Sequence, residues 1–213
     1  MHELHEMAHI ITGRLICGRW GTRDFNVWDL CPDCLHQHPF AIAATFAGPI
    51  FTFAMLWLGR HWLKHSRSIE IRSFGLMLIF GNMQFGRMYM AATNSGDEVW
   101  GLRSLFLNAD HSNDLLIRII GFIIVSAICL PPLITAYQSI ANKRKILIYA
   151  GFLLLPLILD TVVILILLNS LLQKGILNQP AIMGTPLMIT VWFAICLLIV
   201  ITNFKSLTHF AKV

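Results

Sequence analysis

Long uncharged stretches dominate the chain and set its plan. Residues 40–58 carry no charge, residues 74–92 carry only Arg87, and residues 119–142 are uncharged around Pro131-Pro132. Residues 146–172 hold the single charge of Asp160, and residues 186–204 hold none. A hydrocarbon core of about 30 Å takes about 20 apolar residues as a helix, so each stretch is long enough to cross. Five membrane helices follow, with the proline pair expected to kink or break the third. Residues 1–17 read as a helix too short and too polar at its start to cross alone. They lack the basic start and apolar run of a secretory signal. They are read as the second half of a membrane helix, with Met1 standing as an internal methionine or a late start. The predicted fold is all-α: a polytopic bundle of about six transmembrane helices with an interfacial loop after the first.

Composition agrees with the pattern. The 213 residues are 56% hydrophobic and 13% charged, against about 25% charged in soluble domains. An ordinary cytosolic enzyme, a disordered tail and a small disulfide scaffold are excluded. The net charge of +5 is read as loop charge that sets topology, not as a nucleic-acid surface. Arg60, Lys64, Arg67 and Arg72, then Lys143, Arg144 and Lys145, then Lys205 and Lys212 fall on one side if every span crosses, and that side is expected to be cytoplasmic. The opposite side holds Asp97, Glu98, Asp110 and Asp114 together with Arg19, Arg23 and Arg103. Five cysteines are an odd number, two of them (Cys129 and Cys196) inside apolar runs, which argues against a disulfide framework.

The chemistry lies at the start. His5-Glu6-Met7-Ala8-His9 is HExxH. Residues four apart share a helix face, so His5 and His9 can bind one Zn²⁺ while Glu6 reaches a metal-bound water as general base. A plain polar helix start with solvated histidines is the competing reading. It is weakened because polar groups in a membrane need partners. A catalytic zinc takes a third protein ligand and keeps an open position. Asn94-Ser95-Gly96-Asp97-Glu98 offers it. Gly96 permits a tight turn just before Asp97, the favoured ligand; Glu98 is the neighbouring alternative, and a polar loop that merely caps a new helix is the bland one. Asp160, mid-span, is a third acidic candidate that could instead be protonated and hydrogen-bonded to Thr161 or to a carbonyl freed by Pro156.

HExxH, then Ala47-Gly48-Pro49-Ile50 opening the next apolar helix, then an acidic residue after a third helix, resembles the site-2 protease group of intramembrane zinc metalloproteases. The resemblance covers roughly residues 1–100. Ser95-Gly96-Asp97-Glu98 stands where that family has an Asn-Pro-Leu-Asp-Gly-type motif. The resemblance implies a catalytic core over residues 1–114 and accessory helices over residues 115–213. It implies a zinc endopeptidase using Glu6 as catalytic base and His5, His9 and Asp97 as metal ligands. The expected partners are a transmembrane protein or peptide substrate and the lipid bilayer. The expected location is a bacterial inner membrane, crossed several times. The alternative function is a membrane protein that binds metal without hydrolysis, either a transporter or an inactive relative.

Three further clusters need a reading. Cys31-Pro32-Asp33-Cys34-Leu35-His36-Gln37-His38 could close a structural zinc site in a reducing compartment or a disulfide in an oxidising one. Residues 20–30 alternate polar and aromatic positions, as an interfacial anchor does, and Phe25-Asn26-Val27 could offer a strand edge to an extended substrate. Gly81, Gly86 and Ala91-Ala92 suggest close helix packing, and Asn82 and Gln84 are placed to hydrogen-bond near the zinc.

Overall fold

The computed structural model describes residues 1–106 and 114–208. Asp110 and Lys212, both part of the charge bias, lie outside the described residues. The chain is mostly helical: α1 (His2–Cys17), a two-stranded ribbon of β1 (Thr22–Arg23) and β2 (Trp28–Asp29), α2 (Cys34–Gln37), α3 (Ala44–His65), α4 (Ile69–Gly81), α5 (Gln84–Ala92) and α6 (Asp97–Phe106). There follow α7 (Asp114–Ser139), α8 (Lys145–Leu159) continuing through a π-helical stretch (Asp160–Leu168) into α9 (Asn169–Gln173), then α10 (Leu187–Thr202) and α11 (Phe204–Leu207). Among the described residues, three helical segments are long and apolar enough to cross a membrane: Pro39–His65, Asp114–Ser139 and Lys145–Gln173.

Two of the expected spans come out differently. Residues 74–92 do not form one rod. The helix stops at Gly81, Met83 takes a left-handed backbone (φ 49°), and α5 restarts at Gln84. Asn82 Nδ2 donates to the Leu78 carbonyl at 2.5 Å, and Gln84 Nε2 donates to the Ile79 carbonyl. These two amides were expected beside the zinc; they close the frayed end of α4 instead, supplying donors that an α-helix C-terminus lacks. The last apolar helix, α10, has 16 residues, about 24 Å at 1.5 Å per residue, short of a 30 Å core. Conversely, Pro131 and Pro132 do not break α7, which runs through both. Thr135 Oγ donates to the Pro131 carbonyl at 2.9 Å within the same helix.

The chain groups into two compact units. One comprises Met1, Pro49–Leu157 and the segment from Lys205 onward. Here α4, α5 and α6 pack on α7, around a core of Leu56, Ile79, Val99, Val125, Cys129 and Ala136. Gly86 meets Leu157 and Ala91 is buried, as small residues at a packed face should be. A closer approach falls at Gly59 and Gly75, where a Cβ on either would lie within 3 Å of the other's carbonyl oxygen.

The second unit comprises His2–Gly48 and Ile158–Phe204. Its ribbon pairs Thr22 with Asp29 and Arg23 with Trp28. Asp24 closes the turn: its Oδ1 accepts from the backbone N–H of Asn26 (2.8 Å) and of Val27 (2.7 Å). Phe25, at the tip, is fully buried against Ile164, Leu172, Met188 and Ile189. Phe25-Asn26-Val27 is therefore an anchoring turn, not a strand edge open to an extended peptide. Burial of the aromatic ring outweighs exposure of its backbone here.

Arg23 ties the ribbon to α1 through a 2.6 Å pair with Glu3, both side chains almost fully enclosed. Removing one partner of a buried pair strands the other charge, at a cost of about 3–5 kcal/mol. Arg23→Ala is therefore expected to lower the thermal midpoint of detergent-solubilised protein substantially, followed by circular dichroism. Adding Glu3→Gln should recover part of the loss, and an unchanged midpoint in Arg23→Ala would show the pair to be energetically idle.

Candidate metal centre

α1 positions the first chemistry. With 3.6 residues per turn, His2, Glu6 and the His5–His9 pair line adjoining strips of the helix. His5, Glu6 and His9 are all buried. The two imidazoles meet edge to face, and their Nε2 atoms lie 3.1 Å apart. His9 Nδ1 sits 2.7 Å from the Ala44 carbonyl oxygen. A carbonyl only accepts, so Nδ1 carries the proton and Nε2 presents its lone pair toward His5. A backbone carbonyl fixing the far nitrogen in this way is the usual support of a metal-ligating histidine. The other face of the His9 ring stacks on Trp28, with centroids 4.5 Å apart and planes 10° apart.

Gly48 completes the enclosure. A Cβ at that position would fall 2.2 Å from His9 Nε2 and 2.7 Å from His5 Nε2. The backbone of Gly48 comes up against both imidazoles, and a side chain there would overlap them. The Ala47-Gly48-Pro49 signal noted in the sequence thus has a local reason: α3 passes so close to α1 that only glycine fits.

The spacing of this donor pair is one that a metal ion can bridge. Two imidazole nitrogens at about 2.0–2.1 Å from a tetrahedral ion sit about 3.3 Å apart, close to the 3.1 Å found here.

The acidic candidates separate by their partners. Asp160, at the start of the π-helical stretch, lies 3.0 Å from His2 Nδ1, and His2 Nε2 lies 3.7 Å from Glu6 Oε1. His2 thereby stands between Asp160 and Glu6. Its part was not anticipated; the signal was there, since His2 precedes Glu6 by one helical turn. Glu98 is buried and paired with Arg87 at 2.5 Å. Asp97 is half-buried and opens α6 directly after Gly96, whose φ of +88° is the left-handed turn expected of it.

The cysteine loop also departs from expectation. Cys34 is bonded to Cys17, the last residue of α1, so one disulfide does close. Odd number and apolar surroundings argued against a framework, but a single bridge needs only one pair, and the chain folds the CxxC loop back onto the end of α1. The sulfurs of Cys17, Cys31 and Cys34 lie within 4.8 Å of one another. His36 and His38 are exposed and stand apart from that group.

Comparison with family models, with curated proteins and with solved structures finds no match to this chain.

Proposed function

We propose that the chain is an intramembrane zinc endopeptidase that hydrolyses a peptide bond in or near a transmembrane segment of a membrane-protein substrate. The reading rests on one observation above all: a buried HExxH histidine pair whose Nε2 atoms lie 3.1 Å apart, with Gly48 packed so close to both rings that a side chain there would overlap them. Helices long and apolar enough to cross a membrane support the choice of substrate.

His5 and His9 would hold the metal, and Asp97 is proposed as the third ligand. The order of the sequence nominated Asp97 or Glu98, and two findings favour Asp97. Glu98 is committed to Arg87, and Asp160 to His2. Zinc bound at such a site polarises a scissile carbonyl and acidifies a water molecule. Glu6 is the group that takes the water proton at its carboxylate and returns it to the leaving amine. His2, held by Asp160, lies 3.7 Å from the Glu6 carboxylate and would help to position it. Burial around His5, Glu6 and His9 keeps bulk water from competing for the proton.

Metal analysis tests the reading. Purified protein, kept under non-reducing conditions, is expected to hold one tightly bound zinc, lost in His5→Ala and in His9→Ala. Asp97→Ala should weaken zinc binding strongly, and Glu98→Ala much less. Zinc retained at full stoichiometry in the His5→Ala/His9→Ala double variant would remove the site. The reverse order for Asp97 and Glu98 would move the third ligand. Bound zinc without any cleavage of transmembrane peptides would return the chain to the non-hydrolytic metal-binding alternative.

A further inference from the structure

Beyond the histidine pair, the three sulfurs at the end of α1 form a second cluster that the proposed reaction does not use. Cys31 and Cys34 are buried, Cys17 is half-buried, and all three sulfurs lie within 4.8 Å of one another. Three thiolates on one tetrahedral zinc, at Zn–S of about 2.3 Å, sit about 3.8 Å apart, so the cluster needs only a small adjustment to close around an ion. The CxxC spacing of Cys31 and Cys34 is that of zinc-binding turns. Its turn is already formed: Asp33 has a left-handed backbone (φ 61°) and Cys34 N–H donates to the Cys31 carbonyl. Two of the three sulfurs are joined in the structure, while Cys31 remains a thiol beside them.

We propose that Cys17, Cys31 and Cys34 are a redox-gated site for a thiophilic divalent cation, Zn²⁺ by preference, with the Cys17–Cys34 disulfide as its closed form. A dithiol reductant delivers two electrons and two protons to the Cys17–Cys34 bond and leaves as its own disulfide. The metal then displaces one proton from each of three thiols, giving three thiolate–metal bonds and leaving a fourth position for water. Soft sulfur ligands select zinc over the hard cations magnesium and calcium. Because Cys17 ends the helix that carries His5 and His9, either state of the cluster pins the end of that helix to the loop.

Cobalt is the probe, in the His5→Ala/His9→Ala background so that the imidazole pair contributes nothing. The full chain in detergent, reduced with a phosphine and then freed of it, is expected to bind one Co²⁺ per chain with a sulfur-to-cobalt charge-transfer band in the near ultraviolet. Zn²⁺ should displace it, and reoxidation should abolish it. Cys31→Ser keeps both disulfide partners and hence the fold, which circular dichroism checks. It should lose the band and at least about 100-fold in affinity, more than loss of a supporting contact costs. No band in the reduced protein, or an unchanged band in Cys31→Ser, overturns the proposal. With the histidines intact, two zinc ions in the reduced state and one in the oxidised state mean that both sites exist. One and none mean that the cysteine site stands and the histidine site fails.

Discussion

Gly48→Ala is expected to abolish zinc binding at the histidine pair. The added methyl would sit 2.2 Å from His9 Nε2 and 2.6 Å from His5 Cε1, distances at which no carbon rests beside a ring atom. The two backbones cannot easily part. His9 is bonded to the carbonyl of Ala44 in the first turn of the same α3 helix, and Trp28 backs its ring. The methyl must therefore displace the imidazoles, and with them the two ring nitrogens that would hold the metal. Alanine is the best helix former, so α3 itself should persist, and the loss would be one of binding rather than of folding. Affinity should fall by at least about 100-fold, beyond what supporting contacts alone contribute. Zinc titration beside circular dichroism measures it. Ala47→Gly, one residue away, should leave zinc in place and cost only about 1 kcal/mol of helix stability. A Gly48→Ala protein with full affinity would mean that the close approach of Gly48 to the two rings does not set the metal-binding geometry.

Glu6→Gln is expected to leave zinc bound and to remove cleavage. The amide has the shape of the carboxylate and cannot accept the water proton, and loss of a general base costs about 10²–10⁴-fold in rate. Transmembrane peptides in detergent, with products scored by mass spectrometry, give the readout. His2→Ala should lower the rate less, since His2 only holds the carboxylate at 3.7 Å and is itself held by Asp160. Turnover in Glu6→Gln equal to that of the parent would end the proposed mechanism. Turnover lost together with zinc would instead make Glu6 part of the metal's support.

The parts of this molecule that were legible in the sequence are those set by short range. HExxH needs only helical periodicity to bring its imidazoles together, and α1 delivers it. Gly96 needs only its own backbone freedom to turn before Asp97. The long apolar runs gave Pro39–His65, Asp114–Ser139 and Lys145–Gln173 because length and hydropathy suffice there. What escaped was set by partners far along the chain. Asp160 is 158 residues from His2, and nothing local distinguishes a carboxylate bonded to histidine from one bonded to Thr161. Cys17 lies in an apolar helix end and shows no motif until the loop folds back on it. The break at Met83 was hidden for a different reason. Hydropathy reports how greasy a segment is, and residues 74–92 stay greasy through a helix break that a pair of side-chain amides makes tolerable.

The π-helical stretch from Asp160 to Leu168 has a consequence for how this chain can change by insertion and deletion. A π turn carries one residue more than an α turn, closing i→i+5 instead of i→i+4 bonds. Deleting one residue between Asp160 and Leu168 would let the helix relax to ordinary pitch, with every backbone bond made. The same deletion would turn all that follows by about 100°. Leu172 would leave the face that buries Phe25, and Asn169 would swing away from Asn26, to which its amide now donates at 3.1 Å. A deletion just before Asp160 would instead leave Asp160, Asn169 and Leu172 in unchanged phase with one another, so that their contacts to His2, Asn26 and Phe25 would keep a common register. The wide turns thus act as a phase adjuster. They let one continuous helix meet the α1 histidine at one end and the ribbon at the other, two registers that a uniform α-helix could not satisfy together.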